Sequence, residues 1–85
     1  MKRIAVVASV LEDPKQCQQM FNNIVASFNG VIKGRMGIPM DEHKISVITL
    51  TVIADLNEIN ALTGKLGKIR GVAVKTAISN KEVAE

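Results

Sequence analysis

The 85-residue chain has few of the residues that usually carry chemistry: one cysteine, one histidine, two phenylalanines, and neither tryptophan nor tyrosine. A single cysteine cannot pair within the chain, which excludes a disulfide scaffold. One cysteine and one histidine are also too few for a structural zinc site or an iron–sulfur cluster. RNA recognition by base stacking needs aromatic residues on central strands. Phe21 and Phe28 lie instead on the apolar stripe of a predicted helix, so this mode is excluded.

Long hydrophobic runs and concentrated charge are also lacking. The longest nearly uncharged segment, residues 45–54, is about half as long as the roughly 20 residues of a membrane-spanning helix. The apolar start of the chain is followed by Glu12, Asp13 and Pro14 rather than by a signal-peptide cleavage site. We therefore expect a cytoplasmic protein with no membrane contact. The basic residues are scattered, which argues against direct nucleic-acid binding.

The sequence does contain two halves with the same pattern of strand, apolar helix stripe and strand. Asp13 and Asp55 are candidate helix caps, and Gly30 and Gly67 follow the ends of the two stripes. The predicted strands cover residues 3–11, 31–38, 44–53 and 69–79, with a turn at 39–42.

The order βαββαβ predicts an α+β, ferredoxin-like fold of the ACT-like kind. We expect one four-stranded antiparallel sheet in the order 4-1-3-2, with both helices on one face. Residues 1–80 are predicted to form a single domain, and residues 81–85 a polar, frayed C-terminal tail.

Both faces of the predicted sheet are apolar, although two helices can cover only one of them. Such an uncovered face marks an association site, so we expect a homodimer or a tetramer. The alternative is a monomer whose outer face tolerates small aliphatic residues. On the first strand, one face carries Ile4, Val6, Ala8 and Val10. We assign the oligomer interface to the other face and to basic residues expected to project on the same side: Ala5, Val7, Leu11, Lys33 and Lys75.

No arrangement of residues predicts a catalytic site, so we expect a protein that is not an enzyme. The turn and the residue that follows it provide Asp41, Glu42 and His43, which are metal-binding types. Three adjacent residues cannot all face one ion, and we expect neither a metal nor a cofactor. Polarity within an otherwise apolar chain makes these three residues, with Arg35 and Arg70, the candidates for binding a small effector.

The segment from Gly37 to His43, the β-branched strand after it and the helix that starts at Asp55 resemble the effector domain of nickel-responsive repressors. Positions that match the nickel ligands hold Gly37, Pro39 and Ile45, which cannot bind the metal. The DNA-reading arm of those repressors has no counterpart here, so we expect no direct contact with nucleic acid.

The resemblance is closer to a family of stand-alone domains, the regulators of iron-only hydrogenase systems. It is carried by residues 3–7, by Phe-Asn-Gly at 28–30 and by residues 34–39. It implies a homo-oligomeric regulatory domain that binds a small effector between subunits and acts on transcription through a protein partner. The alternative is an assembly domain that binds a protein partner without any small ligand.

Overall fold

The β-branched stretches and the two apolar stripes form the expected elements in a computed structural model that describes residues 1–84. A short 3-10 helix follows the second strand at Asp41–His43. The other elements, in chain order, are β1 (Lys2–Glu12), α1 (Pro14–Ser27), β2 (Ile32–Met40), β3 (Ile45–Ala54), α2 (Leu56–Gly67) and β4 (Val72–Val83).

The four strands form one sheet in the order β2-β3-β1-β4, and each neighbouring pair is antiparallel. This confirms the predicted ferredoxin-like topology. The pairing of β1 with β3 is continuous from Arg3 opposite Ala54 to Glu12 opposite Ile45. Partners directly opposite each other project from the same side of a sheet, so this register fixes which residues of the central strands share a face.

Both helices pack on one face of the sheet, here called the covered face. From α1, Cys17, Phe21 and Val25 point inward, and α2 contributes Ile59, Leu62 and Leu66 to the same core. The covered face of the central strands consists of Ala5, Val7, Ser9, Leu11, Ile48, Leu50, Val52 and Ala54. Within the described chain, neither helix is long and apolar enough to cross a membrane.

The two helices begin differently, although each follows an aspartate. Asp55 accepts a hydrogen bond from the backbone N–H of Glu58 at 2.8 Å, which confirms the predicted cap of α2. Asp13 has a left-handed backbone, with φ of 52°, and its side chain caps nothing. The cap predicted for α1 is therefore wrong: at this backbone geometry the Asp13 carbonyl, not its carboxylate, accepts from Gln16 N–H at 2.9 Å.

The last strand starts later and runs further than expected. Residues 69–71 form a turn in which Ile69 is buried and Gly71 has φ of 87°. A Cβ atom on Gly71 would lie 3.1 Å from the Glu12 carbonyl oxygen, so the turn favours glycine. At the other end β4 reaches Val83, which pairs with Lys2. The expected frayed tail is therefore wrong for residues 81–83, because the start of β1 provides them with a partner; Glu85 lies outside the described residues.

The predicted turn at residues 39–42 is shorter than expected. Pro39 and Met40 belong to β2, where they pair with Ser46 and Ile45. Proline is tolerated there because β2 is an edge strand, which has one side free of ladder hydrogen bonds. The turn itself is the 3-10 helix, which ends at Lys44 in a left-handed conformation with φ of 55°.

Candidate functional site

The face of the sheet opposite the helices carries an extended apolar surface, here called the open face. Its side chains come from alternate positions of all four strands and follow from the strand register. They are Ile4, Val6, Ala8, Val10, Met36, Ile38, Met40, Val47, Thr49, Thr51, Ile53, Ala73, Lys75 and Ala77.

Several large side chains of the open face are well exposed. Val6 at the centre is 39% exposed, and Ile38 and Met36 on β2 are 49% and 62% exposed. Lys75 adds a positive charge on β4, where it lies opposite Ala8 of β1. An apolar surface of this extent is typical of a face that associates with another surface.

The interface residues predicted on β1 are on the other side of the sheet. Ala5, Val7 and Leu11 are at most 1% exposed and belong to the core beneath the helices, so they cannot contact another subunit. The predicted alternation of β1 is correct, but the residues predicted to form the interface are those that the helices cover. Ser9 favoured that error, because it is a polar residue of β1 and yet lies fully buried on the covered face.

Of the two basic residues on β2, Lys33 is predicted at the oligomer interface and Arg35 is predicted to bind an effector. Arg35 lies on the helix side, because its strand partner Leu50 points into the core. Lys33 is exposed at the point where the register of β2 shifts between Ile32 and Gly34, so alternation does not assign it to a face. From Gly34 onward, the bulge exchanges the faces to which the odd and even positions of β2 point. The sequence pattern does not reveal this exchange.

A groove of about 710 Å³ opens on the helix side, beside the uncovered part of β2. It lies between the start of α1, the end of β2 and the start of β3. Its lining residues are Asp13, Pro14, Lys15, Gln18, Arg35, Gly37, Pro39, Asp41, Lys44, Ile45, Ser46 and Ile48. The groove therefore contains Arg35 and Asp41 from the predicted effector residues. Lys15 and Lys44 were missed, since nothing in their local sequence distinguishes them from other surface lysines.

Arg35 is held against α1 by two neutral partners. Its Nη2 atom donates to Asn22 Oδ1 at 2.7 Å, and its guanidinium carbon lies 5.8 Å from the centroid of the Phe21 ring. That distance is within the range of a cation–π contact. The partners orient the guanidinium without neutralising its charge.

The backbone at one end of the groove has two residues in the left-handed region that are not glycine. Asp13 and Lys44 have φ of 52° and 55°, and the Asp13 N–H donates to the Lys44 carbonyl at 2.9 Å. Such conformations are uncommon outside glycine and concentrate at functional sites. This bond joins the β1–α1 junction to the β2–β3 turn, so the wall of the groove is a connected unit.

The remaining predicted effector residues lie elsewhere. Glu42 and His43 are exposed on the 3-10 helix and do not line the groove. Arg70 lines a second hollow of about 470 Å³ with Glu12, Gln16 and Met20. The structure thus brings together two of the five predicted residues.

The two groups that most often carry chemistry, His43 and Cys17, lie in different elements of the fold. No cluster of three or more metal-ligating side chains occurs among residues 1–84. Cys17 is buried, and desolvation raises the pKa of its thiol, an effect to which the charge of Asp13 adds and which a backbone hydrogen bond opposes. A neutral, buried thiol is a poor nucleophile.

Comparison with protein families gives a match that spans residues 3–76. The matching model is TM1266-like, described as "Iron-only hydrogenase system regulator, putative". No curated protein matches the chain.

Among solved structures, TM1266 from Thermotoga maritima is similar with a TM-score of 0.89 and 36% sequence identity, over 92% of this chain and 98% of that one. LarC2, the C-terminal domain of a cyclometallase involved in the synthesis of the NPN cofactor of lactate racemase, has a TM-score of 0.49. It is 16% identical over 94% of this chain and 58% of its own.

Proposed function

This chain belongs to the TM1266-like family of iron-only hydrogenase system regulators, and from that premise we propose that it is a non-enzymatic regulatory domain working as a homo-oligomer. The observation that carries the proposal is the open face. Exposing so many aliphatic side chains to water is unfavourable, and a second copy offers a surface of matching chemistry.

The size of the open face fits this role. The four strands are 9 to 12 residues long. At about 4.8 Å between strands and about 3.3 Å per residue, they span roughly 550–750 Å² in projection. The accessible area is larger than the projection, because the side chains make the surface rough. A stable complex buries about 800 Å² on each partner, so the open face is large enough to hold two copies together.

The same geometry supports control by a small effector. Alternate residues of β2 face opposite sides: Arg35, Gly37 and Pro39 line the groove, whereas Met36 and Ile38 belong to the open face. A ligand that moves β2 therefore changes the surface that another copy contacts. The regulatory output then passes to a protein partner rather than to DNA.

The non-enzymatic assignment is supported by the isolation of the reactive groups. His43 is exposed, and its side chain makes no hydrogen bond or ion pair with another of the residues described. The thiol of Cys17 is in the core, where its raised pKa keeps it protonated. A general base and a nucleophile must lie within hydrogen-bond reach of each other to act together, and these two groups belong to different regions.

The test is a mass measurement by size exclusion with light scattering on two variants of equal charge change. Val6→Glu puts a carboxylate at the centre of the open face, and we expect it to reduce the oligomer to the 9.2 kDa chain. Gln19→Glu makes the same change on the exposed surface of α1 and should leave the oligomer intact. Circular dichroism confirms that both variants fold, and Ile38→Glu provides a second open-face variant at the sheet edge.

An unmodified chain that is monomeric, or a folded Val6→Glu variant that keeps its oligomer, contradicts the proposal. The alternative function, an assembly domain that binds a different protein without a small ligand, uses the same open face. It predicts a monomeric chain that forms a stable complex with a partner in the absence of any ligand.

A further inference from the structure

We propose that the groove beside the start of α1 binds a small organic anion, with Arg35, Lys15 and Lys44 holding its phosphate or carboxylate group. This assignment rests on the proposed function in one respect, since it gives the effector of that function a site and a chemical class. The groove is on the helix side and the open face is on the other, so binding and assembly are measured separately.

The first support is the way Arg35 is prepared for an anion. An arginine whose charge is already paired has little to offer a ligand, but the partners of Arg35 are an amide and an aromatic ring. The guanidinium has five N–H donors, and the described residues accept from one of its nitrogens. Charged donors remain, in a planar group that is already oriented toward the groove and suits an oxyanion.

The second support is the uncompensated charge of the groove. Three cationic side chains and two acidic ones, Asp13 and Asp41, line it. Within residues 1–84 no ion pair forms among them. The excess of positive charge therefore remains available, and the two carboxylates can accept hydrogen bonds from hydroxyl or amino groups elsewhere on the ligand.

The third support is the start of α1, which faces the same space. Its first turn has no acidic residue, and Asp13 makes no side-chain cap. The positive end of the helix dipole therefore has no carboxylate cap, and an anion is favourable there. By itself a helix terminus would mean little; here it coincides with an oriented arginine and a cavity.

The size and walls of the groove define the rest of the ligand. A volume of about 710 Å³ is within the range of small-molecule sites and far exceeds a bare phosphate. Pro14, Pro39 and Ile48 provide apolar contact, while Gly37 leaves the wall without a side chain. The ligand is therefore a metabolite with an acidic group and a flat or apolar body, rather than an inorganic ion.

The experiment is a titration of the ¹⁵N-labelled full chain, followed by NMR, with three probes at matched ionic strength. AMP provides a phosphate with a planar body, citrate provides carboxylates without one, and inorganic phosphate provides the anion alone. We expect saturable shifts of the amide signals of residues 13, 15–18, 35–37 and 44–46. AMP should bind more tightly than inorganic phosphate, and comparison with citrate tells whether a phosphate or a carboxylate is preferred.

Two variants with the same loss of charge test the site. Arg35→Gln removes the oriented guanidinium and should weaken binding at least about tenfold, as expected for the loss of a charged hydrogen bond. Arg70→Gln removes an arginine from the second hollow and should leave the affinity unchanged. The light-scattering mass of both variants reports separately whether assembly is intact.

Three results overturn the anion site. The first is the absence of any localised shift with all three probes up to about 10 mM, a concentration that would detect a Kd of about 1 mM. The second is a set of shifts equal to those that sodium chloride causes. The third is equal weakening of binding by the two variants. If the unmodified chain is an oligomer but binds none of the probes, the anion site alone is refuted. If the unmodified chain is a monomer that binds AMP, the assembly alone is refuted.

Discussion

The two faces of the sheet are nearly equal in hydrophobic character but differ in what covers them. On the covered face, Val7 and Leu50 are opposite each other and completely buried. On the open face, Val6 and Thr51 are opposite each other, and Val6 remains 39% exposed. The difference teaches that an apolar strand face identifies a surface that needs covering, but not which covering it receives.

The choice between the faces depends on details smaller than overall hydrophobicity. β3 is aliphatic at Ile48, Leu50 and Val52 on the covered side, whereas Thr49 and Thr51 interrupt the open side. β1 gives the opposite signal, since its hydroxyl residue Ser9 is on the covered side. The two central strands therefore give opposite signals, and neither strand alone identifies the covered face.

The largest effect on the free energy of unfolding is expected from a cavity at the centre of the covered face. Leu50→Ala should reduce the free energy of unfolding by about 2–5 kcal/mol, because it removes buried methyl groups and leaves a cavity. Thr49→Ala, one residue away on the open face, should change it by less than about 1 kcal/mol. Urea denaturation at one fixed protein concentration measures both. Equal losses would mean that the two faces are equally buried.

A smaller effect on stability is expected at the starts of the two helices, because only α2 has a side-chain cap. Asp55→Ala removes the bond to the Glu58 N–H and should destabilise the fold by about 1 kcal/mol. Asp13→Gly removes no side-chain cap and relieves a left-handed backbone, so thermal unfolding should show no loss of stability. A loss as large as that of Asp55→Ala would show that Asp13 caps α1 after all.

The smallest effect on stability is expected when a hydroxyl is removed from the covered face or added to the open face. The hydroxyl of Ser9 is buried without a hydrogen-bond partner among the described residues. Ser9→Ala should therefore stabilise the chain by about 0.5–1 kcal/mol. Ala8→Ser puts the same group on the open face, and in the monomeric Val6→Glu background it should be neutral within about 0.5 kcal/mol. Destabilisation by Ser9→Ala would mean that this hydroxyl has a favourable role.

Much of the fold could be predicted from the sequence, because its signals are local. The cap at Asp55, the apolar stripes and the order of elements depend on spacing within one element. The direction of Arg35 depends on a bulge after Ile32, and the extension of β4 depends on pairing with Lys2. Those contacts join distant parts of the chain, so periodicity within one segment does not reveal them.

The candidate site could be predicted only in part for the same reason. Arg35 and Asp41 were identified by their polarity, and both line the groove. Lys15 and Lys44 reach it because the β1–α1 junction is bonded to the β2–β3 turn. No spacing in the sequence links positions 15 and 44. Glu42 and His43 share the 3-10 helix of Asp41 and yet do not line the groove.

The central claim is that a second copy covers the open face. Light scattering of the unmodified chain over a range of concentrations tests it most directly. The account predicts a mass of at least twice 9.2 kDa that falls toward the single chain only on strong dilution. A mass that stays at that of one chain at the highest concentration reached would contradict it.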